Sequence, residues 1–191
     1  GFFALPIFLL FIFGASFPSS NVPMTSWICA GLIAFQMQYN ISVSGGLKDI
    51  EYDYKMGGKT IPFALGARIV GSAVFIPKGL KVYGSALTFG QVFLILLGIA
   101  HLHLPMPLLL FEVLLAVGIS YLNVNILWVT RYKRKEWMRQ MLIYALLSYL
   151  AVVFLLLPYV PPLSLLFVLL LPIAWALLFL HISSRGEWAV F

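Results

Sequence analysis

The sequence predicts an all-α integral membrane protein, a polytopic bundle of transmembrane helices with about six spans visible. Three observations predict it. Of 191 residues, 62% are hydrophobic and only 9% are charged, against about 25% charged in an ordinary soluble domain. The mean hydropathy is +1.03, more apolar surface than a water-soluble core of this chain length could bury. The apolar stretches approach the ~20 residues that a bilayer crossing needs. Turn residues or basic clusters separate them.

Residues 2–17 are apolar with Pro6 near the start, a marginal first span. Phe17 to Pro23 reads as an uncharged turn. Trp27 sits near the start of a second span, residues 25–44, where an aromatic side chain suits a membrane interface. The second half of that span turns polar. Gln36, Asn40 and Ser44 recur at helical spacing and lead straight to Asp49. In a membrane helix such side chains face the bundle or a wet cavity, and interhelical hydrogen bonding is their other use.

Residues 45–82 read as a long mixed loop holding six of the twelve basic residues: Lys48, Lys55, Lys59, Arg68, Lys78 and Lys81. A third span covers 83–104 and ends near His101 and His103. Two histidines two apart do not share a helix face, and no cysteine or acid accompanies them, so they read as interfacial. A fourth span, 107–130, carries Glu112 about a turn from its end, where a carboxyl snorkels or stays neutral. A short basic loop precedes a fifth span, 138–157. A proline-rich turn then leads to a sixth, 163–182, and a charged tail. Cys29, the lone cysteine, excludes an internal disulfide and reads as packing.

The net charge of +6 does not point to nucleic acid, because the basic residues lie between apolar segments rather than along one polar face. All of them fall in 45–82, in 131–139 or in the tail, and the intervening turns carry none. The basic side of a multi-pass protein faces the cytoplasm, so the acidic stretch is expected there too.

That stretch is where the chemistry concentrates. Asp49, Glu51 and Asp53 are the only acids of the first half of the chain. Asp49 and Asp53 stand four apart and share a helix face. Two such carboxylates at the mouth of an apolar bundle suit Mg²⁺, which is commonly held by one or two carboxylates plus substrate phosphates. Gly57-Gly58 frees the backbone, and Lys55 and Lys59 add positive charge.

Lys48 to Pro62, with Leu65-Gly66 following, resembles the second aspartate-rich motif of the UbiA superfamily of intramembrane prenyltransferases. The family pattern is Asp-x-x-x-Asp-x-x-x-Gly-x-Lys-Thr, and Asp49, Asp53, Gly57, Lys59 and Thr60 fit it in register. The resemblance implies Mg²⁺-dependent transfer of a prenyl group from an allylic diphosphate to a lipophilic acceptor within the membrane. The acceptor would be a quinone precursor, tetrapyrrole, glyceryl ether or carotenoid. It implies that Asp49 and Asp53 are catalytic and hold metal, with Glu51 a further ligand. Lys55, Lys59, Arg68, Gln36, Asn40 and Ser44 would line the substrate site beside membrane lipids.

The family's first motif, Asn-x-x-x-Asp-x-x-x-Asp, has no counterpart here, because Asp49 and Asp53 are the only aspartates. The motif follows the second span, whereas the family places it after the sixth. The chain also opens at Gly1 without an initiator Met. Residues 1–191 are therefore expected to be the C-terminal part of one larger transmembrane domain and inactive alone. A CDP-alcohol phosphatidyltransferase also uses acids four apart, and Gly45 stands four before Asp49, but its upstream Asp-Gly element is missing. A non-catalytic membrane protein or transporter fragment is the other alternative. Transporters favour broken helices and midplane charges, whereas these charges sit at the rim.

Overall fold

The computed structural model describes residues 4–16, 22–58, 60–70, 73–128 and 134–159, and positions 161, 170 and 174. The chain forms two units, Gly1–Leu155 and Leu156–Phe191. The expected sixth span lies almost wholly outside the described residues, as do the basic positions 131–133 and the tail.

The protein is mostly helical. In chain order the elements are α1 (Ala4–Ser16), α2 (Met24–Tyr39), a π-helical segment (Asn40–Gly45), α3 (Gly46–Lys48), α4 (Ile50–Met56) and α5 (Ile61–Ala64). There follow β1 (Arg68–Val70), β2 (Ala73–Phe75), α6 (Lys78–His101), α7 (Met106–Trp128) and α8 (Arg134–Leu156). Three helices among the described residues are long and apolar enough to cross a membrane: Lys78–His101, Met106–Trp128 and Glu136–Tyr159.

The expected spans at 2–17 and 25–44 are not confirmed, for two reasons. Helix α1 has 13 residues, about 20 Å at 1.5 Å per residue, which falls short of the ~30 Å hydrocarbon core. The α-helical part of α2 has 16 residues and gives way to the π segment at Asn40. The loop expected over 45–82 is also corrected. It holds three short helices and an antiparallel hairpin, and α6 begins at Lys78 rather than 83.

Each long helix turns one stripe inward. On α6 the buried positions are Leu80, Gly84, Leu87, Thr88, Gln91, Ile95 and Gly98, the spacing of a single helical face. On α7 they include Glu112, Ala116, Ile119, Asn123 and Ile126. On α8 they include Trp137, Met141, Tyr144, Ser148 and Leu155. The outward faces carry Phe89, Phe93, Leu114 and Val117, all more than half exposed. The inward stripes mix apolar side chains with a few polar ones, and large apolar groups face outward, a surface that suits lipid.

Contacts fix the helix directions. Lys81 at the start of α6 lies over the ring of Trp128 at the end of α7. Ser44 donates to Met141 near the start of α8. The starts of α6 and α8 and the ends of α2 and α7 therefore share one end of the bundle, the end that carries the acidic loop. Small residues allow the close approach: a Cβ on Gly84 would lie 2.6 Å from Leu127 Cδ1 and near Val43 and Tyr39. Gly84→Val should therefore lower stability by roughly 1–3 kcal/mol through overpacking, read as the midpoint of thermal unfolding in detergent.

Candidate functional site

The acidic loop is built outward from a polar network. Gln36 Nε2 donates to Asn40 Oδ1 at 3.0 Å, and Gln91 Nε2 of α6 donates to Gln36 Oε1 at 2.8 Å. The Tyr144 hydroxyl of α8 donates to Gln91 Oε1 at 2.7 Å and shares a 2.8 Å bond with Thr88. Beside it, Gln38 Nε2 donates to Ser42 Oγ and to the Tyr83 hydroxyl. The Tyr39 hydroxyl donates to Asn123 of α7, whose amide donates to Ser85. Gln36 and Asn40 thus join the interhelical network. Ser44 departs from it to Met141 Sδ at 2.6 Å, because the π segment winds more slowly than the α-helical period that groups the three residues.

Asp49 lies where α3 passes into α4, with φ −96° and ψ 7°. The helical path continues through it, since Asp49 N–H donates to Gly45 O at 3.0 Å and Asp53 N–H to Asp49 O at 2.9 Å. The two aspartates therefore stand one turn apart on one strip. Their environments differ: Asp49 is exposed, whereas Asp53 is 8% exposed. Thr60 Oγ1 donates to Asp53 Oδ2 at 2.6 Å.

The glycines of the motif have separate physical reasons. Gly57 ends α4 at φ 67°, a left-handed conformation that costs a side-chain-bearing residue dearly. Gly58 N–H closes the helix end on Asp53 O at 2.8 Å, and a Cβ there would meet Asp53 Oδ1 at 2.5 Å. Pro62 at the start of α5 packs so tightly on α3 that a Cβ on Gly46 would lie 2.6 Å from Pro62 Cδ. The loop is thus self-closed, with Asp53 at its centre.

Glu51 is exposed on a different face of α4 from the aspartate pair. Among the described residues no group of three or more His, Cys, Asp or Glu side chains converges on a metal position. Lys55 is exposed on the same short helix. Lys59 lies outside the described residues. The Arg68 guanidinium stands 5.3 Å from the Phe75 ring centroid on the hairpin. Asp49 and Asp53 remain as a carboxylate pair one turn apart, a donor set of the kind Mg²⁺ accepts when water fills its other positions. Thr60 then orients Asp53 from behind.

Residues that the sequence did not single out carry much of the polar interior: Thr88, Gln91, Asn123, Tyr144 and Ser148, each at most 5% exposed. Their recurrence on the buried stripes of α6, α7 and α8 was the available signal. Of the two expectations for Glu112, to snorkel or to stay neutral, the first is not met: the residue is 0% exposed, and neither carboxyl oxygen has a hydrogen-bond partner among the described residues. His101 and His103 are exposed at the end of α6, and Cys29 is fully buried.

Compared with protein-family models, with characterised proteins and with solved structures, the chain matches none.

Thr60→Val should remove the lock on a buried carboxylate, a charged hydrogen bond of about 1.5–3 kcal/mol. The Gly58 amide should then exchange with deuterium faster, while amides within α6 keep their protection. Glu112→Leu should raise the melting temperature in detergent, because a buried polar group without a partner costs about 1–3 kcal/mol. A fall would mean that Glu112 has a partner outside the described residues.

Proposed function

We propose that the protein takes part in Mg²⁺-dependent transfer of a prenyl group from an allylic diphosphate to a lipophilic acceptor within the membrane. One observation carries the reading: Asp49 and Asp53 stand one turn apart at the end of the bundle where the polar network emerges. The motif resemblance gives that pair a chemistry. Asp49 and Asp53 would hold the ion, and the ion supplies charge neutralisation for the departing diphosphate. Asp49, being exposed, offers its oxygens outward. Asp53 is fixed in orientation by Thr60. Lys55, and Lys59 by its position in the motif, would draw the anionic head to this end of the bundle. The helices beyond, whose buried residues are mostly apolar, would keep bulk water from the reacting carbon. This end would face the cytoplasm, by the distribution of basic residues.

A second reading has its own support. Glu112 is buried without a partner among the described residues, on a helix long and apolar enough to span, and α2 gives way to a π segment beside polar residues. Broken helices and intramembrane acids suit a transport protein, in which Asp53 would serve only to close its loop.

The readings separate on two variants of the full-length gene product in membranes, assayed with labelled prenyl diphosphate and excess Mg²⁺. For a prenyltransferase, Asp49→Asn should abolish transfer with no change in thermal stability, because Asn offers Mg²⁺ no anionic oxygen. Asp53→Asn should abolish transfer and also loosen the loop. Absence of transfer in the wild-type protein, with Asp49→Asn silent in every readout, would falsify the enzymatic reading.

A further inference from the structure

The hairpin after the acidic loop has an outer face that water does not suit. β1 and β2 pair antiparallel with Arg68 opposite Phe75 and Ile69 opposite Val74. Side chains alternate across a strand, so Arg68, Val70 and Phe75 share one face and Ile69 and Val74 the other. Ile69 and Val74 are half-buried, and β1 lies against α4. On the outer face Val70 is 57% and Phe75 48% exposed, with the Arg68 guanidinium over the Phe75 ring. A two-stranded sheet on its own is marginal in water.

Two independent markers set the height of this hairpin. Ile76-Pro77 joins it directly to α6, which begins at Lys78 and has 24 residues. At 1.5 Å per residue that helix is about 36 Å long, longer than the ~30 Å hydrocarbon core, so its first turn reaches the headgroups. Trp128 closes α7 at the same level, with Lys81 Nζ 5.3 Å from its ring centroid, and tryptophan gathers at membrane interfaces. The acids near the hairpin lie on α4, behind β1, and the segment from the hairpin into α6 is basic. No acid occurs between Asp53 and Glu112, while Arg68, Lys78 and Lys81 fall there.

We propose that the hairpin lies on the bilayer surface as a docking face for anionic lipid. Val70 and Phe75 enter the boundary of the acyl chains, and Arg68, Lys78 and Lys81 face headgroup phosphates. The occupant is the lipid layer rather than another protein, because the apolar pair and the cations stand at the height where acyl chains meet phosphates. The inference is independent of the enzymatic reading.

The test places nitroxide labels through Val70→Cys, Phe75→Cys and Ile69→Cys, each in a Cys29→Ala background. Collisions with oxygen and with a water-soluble nickel chelate are measured in vesicles of phosphatidylcholine, with and without phosphatidylglycerol. Labels at 70 and 75 should collide mainly with oxygen, and more deeply once phosphatidylglycerol is present, while the label at 69 is shielded from both reagents. Nickel-dominated collisions at 70 and 75 in both vesicle types would place the face in water and overturn the proposal. Shielding from both reagents there would mean that protein covers the face, which also overturns it. Arg68→Gln and Lys78→Gln should each weaken phosphatidylglycerol binding about fivefold, the effect of one cation near an anionic surface. Unchanged binding in both would reject the electrostatic part.

Discussion

The hydroxyl of Tyr144 is the point on which the bundle depends. It donates to Gln91 and bonds with Thr88, and its ring stacks on Tyr39 with centroids 4.3 Å apart. One side chain of α8 thereby meets both α6 and α2. In lipid, helices gain little from hiding apolar surface, because the surroundings are equally apolar. Which faces meet is decided by packing and by polar groups that have no other partner. Each bond contributes modestly, on the order of 0.6 kcal/mol in membrane bundles. Their joint geometry is what selects a single arrangement, since a rotated helix would leave several buried donors unmet at once.

The same network determines where the acidic loop stands. From Tyr144 the bonds run through Gln91 and Gln36 to Asn40, where the π segment begins. Its wider turn redirects the chain, so Ser44 reaches Met141 while Asp49 emerges at the rim. Beyond it the loop is held by its own contacts: Thr60 on Asp53, Gly58 on the helix end, and Pro62 on Gly46. A stiff loop with one exposed and one buried carboxylate gives each a different duty. Asp53 serves the loop before it can serve any ligand, and Asp49 is the carboxylate with its surroundings open.

The interior also holds a conflict. Thr88, Gln91, Asn123, Tyr144 and Ser148 on the inward stripes all have hydrogen-bond partners, whereas Glu112 is fully buried with neither carboxyl oxygen partnered among the described residues. A carboxyl in that position opposes the packing that surrounds it. Such a residue is a mark of use rather than of stability in a membrane helix.

The sequence by itself determined the membrane class, three long apolar helices among the six spans expected, and the spacing that pairs Asp49 with Asp53. Hydropathy and spacing are local properties, and a bilayer makes them decisive, because only a continuous apolar helix satisfies its backbone there. Burial of Cys29 and exposure of the two histidines were legible for the same reason. Tertiary structure alone decided the rest. The π segment cannot be read from spacing, since it depends on what Asn40 and Ser44 meet on neighbouring helices. The hairpin within the expected loop needs α4 to pack against. Burial and the bond from Thr60 set Asp53 apart from the exposed Asp49, although a linear motif presents the two aspartates as equals. Glu112 is buried rather than snorkelling because the inward stripe of α7 encloses it, and a stripe's direction is fixed only once its neighbouring helices are in place.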